Sequence, residues 1–287
     1  MTPTRTVLVT GAAGQLGREV VSCFEVDPAW RVVACDRARL DLADRDSVLG
    51  AITTVAPDAV VHSGAWTAVD ACEADPDRAL AVNALGTRHV ADAARRVGAH
   101  VTYVSTDQVF AGDKHGPYHE WDETGPRNAY GKSKLAGERE LDPGSTIVRT
   151  SWVFGRHGAN MVKTVLGLVE AGDVEMRFVD DQHGCPTSAA DLAGAVHDLV
   201  GAQRPGTFHV TNQGPTTWFT FARDIVTLAG GDPARVRPVA TVDLDPPRAA
   251  PRPASSILDG AALRLSGLPL LRDHHEPLAE LVRELRA

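Results

Sequence analysis

Short apolar runs recur along the first half of the chain, and each is followed by a stretch with helical spacing. "TVLVT" leads into a predicted helix over Gln15–Glu25, and "RVVAC" into one over Asp44–Thr54. "DAVVHSG" precedes a long helical stretch over Pro76–Val97, "HVTYVS" a helix beginning near Asn128, and "STIVRT" supplies a fifth strand. Continuous rather than alternating apolar runs mark strands buried on both faces, as in a parallel sheet covered by helices. With right-handed crossovers this predicts an α/β fold with a doubly wound parallel sheet of the Rossmann type.

After Thr150 the pattern loosens. A helix is expected over Ala159–Glu170, a strand at "EMRFV", and a helix at "SAADLAGAVHDLV" capped by Thr187 or Ser188. "GTFHV" reads as a strand and "TWFTFARDIVTLAG" as a helix stopped by Gly230-Gly231. "DLDPPRAAPRPAS" is a proline-rich loop, and a last helix spans Pro277–Arg286. The organisation expected is a dinucleotide-binding domain over 1–150, with 175–212 returning to it. Residues 151–174 and 213–287 would form a smaller mixed substrate lobe.

Composition narrows the class. At 287 residues, with 43% apolar and 23% charged side chains, the chain is an ordinary soluble globular protein. Its formal charge of -8 argues against a nucleic-acid or anionic-membrane partner. No run approaches the roughly 18 apolar residues of a membrane span, and a strand begins within six residues of Met1. A cytoplasmic location is expected. The four cysteines, Cys23, Cys35, Cys72 and Cys185, form neither C-x-x-C nor a zinc-like spacing. His274-His275 could suggest a metal, but adjacent histidines without a third ligand rarely make a site, so no metal is assigned.

"TGAAGQLG" sets Gly11, Gly14 and Gly17 between the first strand and first helix. Glycines there let backbone amides approach a pyrophosphate at a helix N-terminus, with Gln15 and Leu16 in the same turn. Asp36 ends the second strand, where a carboxylate accepts hydrogen bonds from an adenosine ribose. Arg37 and Arg39 beside it suit a 2′-phosphate, which Asp36 would repel. Asp41 and Leu42 are placed to border the adenine. NADPH and NADH both stay open, with NADPH preferred.

Of the 29 basic side chains only Lys114, Lys132, Lys134 and Lys163 are lysines, and there are three tyrosines. Against that background "AYGKSK" stands out, because it puts Tyr130 and Lys134 four apart on one helix face. A phenol needs a nearby cation to titrate usefully, and an ammonium also holds a ribose. "STDQVFAG" closes the fourth strand with Ser105, Thr106, Asp107 and Gln108, beyond the carboxyl ends where such sheets bind ligands. Thr106, Tyr130 and Lys134 beside a dinucleotide loop point to carbonyl reduction by hydride transfer.

"TGAAGQLG", "STDQVF" and "YGKSKLAGE" resemble the extended short-chain dehydrogenase/reductase family. "AWTAVDACE", "VRTSWVFG", "DDQHGCPTS", "GPTTW" and "PRPASSIL" narrow the likeness to the dTDP-4-dehydrorhamnose reductase family over nearly the whole chain. The resemblance implies that Thr106, Tyr130 and Lys134 are catalytic and that a dTDP-4-keto-6-deoxyhexose is reduced at C4. It implies that Ala65, Thr67 and Val69 line the cofactor and sugar sites, with Asp107, Gln108, Trp152, Asn160 and Arg252 near the nucleotide-sugar. A homodimer is consistent with it; metal-bridged dimers occur in the family, but no motif here places their acidic ligands.

Gln108 stands where the family has a tyrosine, so an amide replaces a stacking face. A keto-sugar of an antibiotic or dihydrostreptose-like pathway therefore competes as the substrate. Two rival functions share the fold: a nucleotide-sugar epimerase or dehydratase, which also has the Tyr-Lys pair, and a non-catalytic regulatory subunit similar to the methionine adenosyltransferase β subunit. The complete Thr106, Tyr130 and Lys134 set speaks against the second.

Overall fold

The computed structural model describes residues 4–172 and 175–287. The first half runs β1 (Arg5–Thr10), α1 (Gln15–Glu25), β2 (Trp30–Cys35), α2 (Arg45–Val55), β3 (Ala59–His62), α3 (Val69–Ala74) and α4 (Pro76–Leu80). A π-helical stretch, Ala81–Leu85, joins α4 to α5 (Gly86–Val97), so the expected long helix contains a bulge. Then follow β4 (His100–Thr106), α6 (Ala129–Glu138) and β5 (Thr146–Thr150). The second half contains β6 (Val153–Phe154), α7 (Met161–Glu170), β7 (Met176–Val179), β8 (His183–Gly184), β9 (Thr187–Ser188), α8 (Ala189–Gly201) and β10 (Gly206–His209). It ends with β11 (Thr216–Thr217), α9 (Trp218–Leu228), β12 (Val236–Val239), α10 (Ala261–Leu265) and α11 (His275–Arg286).

Six strands form the main sheet in the order β10-β5-β4-β3-β1-β2, with every pairing parallel. Alternate residues of β1 serve opposite faces. Val7 and Val9 pack with Phe24, Leu192 and Val196 beneath α1 and α8, whereas Leu8 packs with Ile52, Val60 and Val90 beneath α2 and α5. The chain winds outward in both directions from β1, so the crevice opens where β1 and β3 diverge.

The return to the main sheet is narrower than 175–212. Only α8 and β10 make it. Strand β7 pairs instead with β12 in a separate two-stranded sheet, because Met176 belongs to the second core with Phe221, Ile225, Val236 and Leu278. Residue 174, at the expected boundary, lies outside the described residues. Among those described, no helix is long and apolar enough to cross a membrane.

Candidate active site

A cleft of about 930 Å³ runs along the carboxyl ends of the main-sheet strands. Its floor is set by the residues that leave those strands: Gly11 after β1, Asp36 after β2, Ser63 after β3, Thr106 ending β4 and Thr150 ending β5.

At one end lies the glycine loop. Gly11 has φ of 65°, and a Cβ there would meet the Gly64 Cα at 2.6 Å, so only glycine lets these two turns touch. Gly14 caps α1 with no side chain bonded to the first turn, leaving the N–H groups of Gln15, Leu16 and Gly17 directed to the cleft they line. Gln15 is held from two sides, donating to the Val153 carbonyl at 2.9 Å and accepting from Asn160 at 2.8 Å. Asp36 accepts from the Arg39 amide at 3.0 Å, and Arg37, mostly exposed, is 3.6 Å from Asp41. Arg39 turns back to the Ala34 carbonyl, away from the cleft. This donor set and cradle fit a dinucleotide.

Two of the expected cofactor contacts sit behind this wall. Asp41 is engaged with Arg37 and the Ala43 amide, and Leu42 is a core residue packed against Gly64 and Gly86. Asn160 is also displaced from its expected role. Its side-chain oxygen caps α7 at the Lys163 amide, and its nitrogen donates to Gln15 and to Gly155. Both amide hydrogens are thus spent, and Asn160, unlike its neighbours Ala159 and Met161, does not line the cleft.

At the centre stand Thr106, Asp107, Tyr130 and Lys134. Asn128 caps α6 at Gly131 and thereby turns Tyr130 and Lys134 inward, both buried. Tyr130 and Thr106 line the cleft together, and the Thr106 hydroxyl donates to Asp107 at 2.9 Å. Ser256, from the loop before α10, donates to the other Asp107 oxygen at 2.5 Å. Burial pushes the Asp107 carboxyl up to about 6, against the opposing pull of Ser256 and Thr106.

Lys134 corrects one expectation. Its Nζ donates to the Val104 carbonyl at 2.7 Å and lies 4.0 Å from the Tyr103 ring, and burial brings its ammonium down to about 7. The helix spacing predicts a phenol depressed by an adjacent ammonium. Burial and the nearby Asp107 carboxylate instead raise Tyr130 above its ordinary range, with the neighbouring Thr106 hydroxyl offsetting part of that rise. A raised phenol stays protonated.

The far wall comes from the second half of the chain. Trp152 adopts φ of 47°, an unfavourable region for a bulky side chain, and stacks on Trp218 with ring centroids 3.7 Å apart. Gly184 makes room, since a Cβ there would lie 2.4 Å from the Trp152 ring. Arg252 pairs with Asp70 at 2.8 Å, tying the proline-rich loop to α3. Gln108 accepts from Asn128 at 2.8 Å and faces the cleft, as do Ala65, Thr67 and Val69. Asp70, Gln182, Trp218, Arg248 and Ser256 join them, and no sequence pattern assigns these five a role. All but Arg248 lie within the stretches that carry the family resemblance, which is the signal that could have found them.

A dinucleotide cradle and a buried hydroxyl–phenol pair thus share one cleft, the arrangement of an extended short-chain dehydrogenase/reductase. Residues 5–287 match the RmlD substrate binding domain, and the chain belongs to that family. It is 44% identical over 282 residues to a dTDP-4-dehydrorhamnose reductase of Streptomyces griseus, covering 95% of this chain and 91% of that protein. It is 40% identical to a dTDP-4-keto-6-deoxy-D-glucose reductase of Streptomyces niveus, covering 92% of each. The solved dTDP-4-dehydrorhamnose reductase of Bacillus anthracis, in complex with NADP, superposes with a TM-score of 0.92 at 37% identity, over 98% of this chain and 100% of that one.

Proposed function

We propose that the protein reduces the C4 ketone of a dTDP-4-keto-6-deoxyhexose with NADPH, converting dTDP-4-dehydro-L-rhamnose to dTDP-L-rhamnose. The observation that carries this reading is that Thr106, Tyr130 and Lys134 line the same cleft as the glycine loop, at the end of β4. The bound nicotinamide supplies the hydride. The α1 N-terminus would hold the pyrophosphate, and Arg37, loosely paired and exposed, would meet a 2′-phosphate.

Tyr130 holds the proton that the alkoxide needs, and its raised pKa keeps that proton in place until the ketone is reduced. Thr106 lies beside the phenol where the ketone would sit, its hydroxyl hydrogen directed to Asp107. Lys134, anchored to Val104, presents a cation to the cofactor ribose at the base of the cleft. The Trp152–Trp218 stack and Arg252 border the nucleotide-sugar. General acid catalysis of this kind contributes roughly 10² to 10⁴ in rate.

Gln108 favours a second reading, a related dTDP-4-keto sugar. Its amide is fixed by Asn128 and offers hydrogen bonds where the family's tyrosine offers a ring. We further place the reaction in the cytoplasm, a reading supported by four free thiols. A homodimer rests on the family resemblance alone.

The test follows nicotinamide absorbance with dTDP-4-dehydro-L-rhamnose, using NADPH and NADH in parallel. Oxidation with formation of dTDP-L-rhamnose is the expected result. Turnover restricted to another dTDP-4-keto sugar would transfer the assignment to the second reading. No oxidation with any such sugar, by a chain that binds NADPH, would overturn both.

A further inference from the structure

His274 and His275 open α11, and the carboxylates beside them in sequence are engaged, Asp273 by the His275 ring and Glu276 by Arg272. The fold supplies a third ligand from α9. Asp224, His274 and His275 each bring a donor atom to a common point, all within 4.8 Å of one another.

The hydrogen bonds around the rings decide which atoms are available. His274 Nδ1 lies 3.1 Å from the Gln213 carbonyl oxygen, which only accepts, so Nδ1 carries the hydrogen and Nε2 a lone pair. That Nε2 is buried without a hydrogen-bond partner, in a residue 1% exposed. His275 Nδ1 donates to the Asp273 carboxylate at 2.7 Å, which leaves its Nε2 facing Asp224 Oδ2 at 3.5 Å. Asp224 Oδ2 is likewise buried with no hydrogen-bond partner. Three lone pairs therefore converge, and a cation among them replaces mutual repulsion by coordination.

We propose that Asp224, His274 and His275 form a binding site for one divalent transition cation of the Zn²⁺ class. Two imidazole nitrogens and one carboxylate suit such a cation and not Mg²⁺ or Ca²⁺, which take oxygen ligands. Each ring has its second nitrogen held by a carbonyl or a carboxylate, the outer arrangement that orients metal-bound histidines. His275 is 60% exposed, so water completes the coordination from the solvent side. The site acts as a clip between α9 and α11. It lies behind the cleft wall: His274 contacts Phe221 at 5.9 Å, and Phe221 lies 6.4 Å from the cleft residue Trp218.

The competing occupant of this arrangement is a proton, with His275 an imidazolium bridging Asp224 and Asp273. Metal binding to the full chain, without an affinity tag and stripped by a chelator, separates the two. Zn²⁺ would be titrated against a chromophoric chelator, Co²⁺ used as a spectroscopic probe, and melting followed with and without Zn²⁺. One ion per chain, a four-coordinate Co²⁺ spectrum and a Tm that rises with Zn²⁺ are expected. His275→Ala, at a largely exposed ring, weakens binding roughly 100-fold or more, and Asp273→Asn weakens it roughly 10-fold. Equal Zn²⁺ uptake by the native chain and His275→Ala, or a Tm unmoved by saturating Zn²⁺, would overturn the site in favour of the imidazolium bridge.

Discussion

The Ser256 hydroxyl donates to the Asp107 carboxylate at 2.5 Å, joining positions 149 apart in the chain. This bond and the Thr106 bond on the other oxygen hold a buried carboxyl at the centre of the cleft. Burial raises it to about 6, so the folded chain keeps that proton to higher pH than the unfolded chain, which releases it near 4. Between those values the folded state binds more protons, and this group's contribution to stability falls as pH rises from about 4 to about 6. Asp107→Asn removes the effect. Urea titrations at intervals across that window are expected to show the native chain losing roughly 3 kcal/mol relative to the variant; parallel curves would refute it.

Tyr130→Phe keeps the ring in its buried site and deletes only the proton. Turnover on the keto-sugar is expected to fall by roughly 10² to 10⁴. NADPH binding, read from its fluorescence, stays within about 3-fold of the native chain. Native turnover in this variant would remove Tyr130 from the chemistry.

At the end of α6, the helix that carries Tyr130, Glu138 forms a two-pronged ion pair with Arg149 at 3.0 and 2.7 Å, and Ser105 donates to the same carboxylate. Both side chains are under a tenth exposed. Glu138→Gln strands a buried guanidinium and is expected to lower stability by about 3–5 kcal/mol. Replacing both partners, as Glu138→Leu with Arg149→Met, recovers most of that loss, since the cost lies in the unpaired charge. The midpoint of urea unfolding at constant m measures it.

Gln108→Tyr restores the family's aromatic at a position facing the cleft, while Asn128 keeps its bond to the Pro251 carbonyl. The expected effect is on recognition. The KM ratio between dTDP-4-dehydro-L-rhamnose and a C4-keto sugar of different configuration shifts by roughly 10-fold, with kcat within about 3-fold. An unchanged ratio would show that residue 108 does not read the sugar.

Much of this is legible in the sequence for a physical reason: periodicity is local. A buried parallel strand announces itself within five residues, as in β1 and β3, and a cap such as Ser188 within four. The glycine loop and the Tyr130–Lys134 spacing are local too, so the cleft's position follows from strand ends and the rule for doubly wound sheets. What cannot be read locally is direction. Asn160 and Leu42 lie in suggestive motifs, but capping and core packing consume them. The sense of the Tyr130 shift depends on burial beside Asp107, not on the spacing to Lys134.

The sequence by itself therefore determined the α/β class, the glycine loop and the hydroxyls proposed to react, because each is encoded by residues within one turn or one strand. Only the tertiary structure decided that β7 leaves the main sheet for β12, that Ser256 locks Asp107, and that Asp224 meets His274 and His275. Those contacts join segments tens of residues apart, and they exist only once burial of two separate cores has brought the segments together.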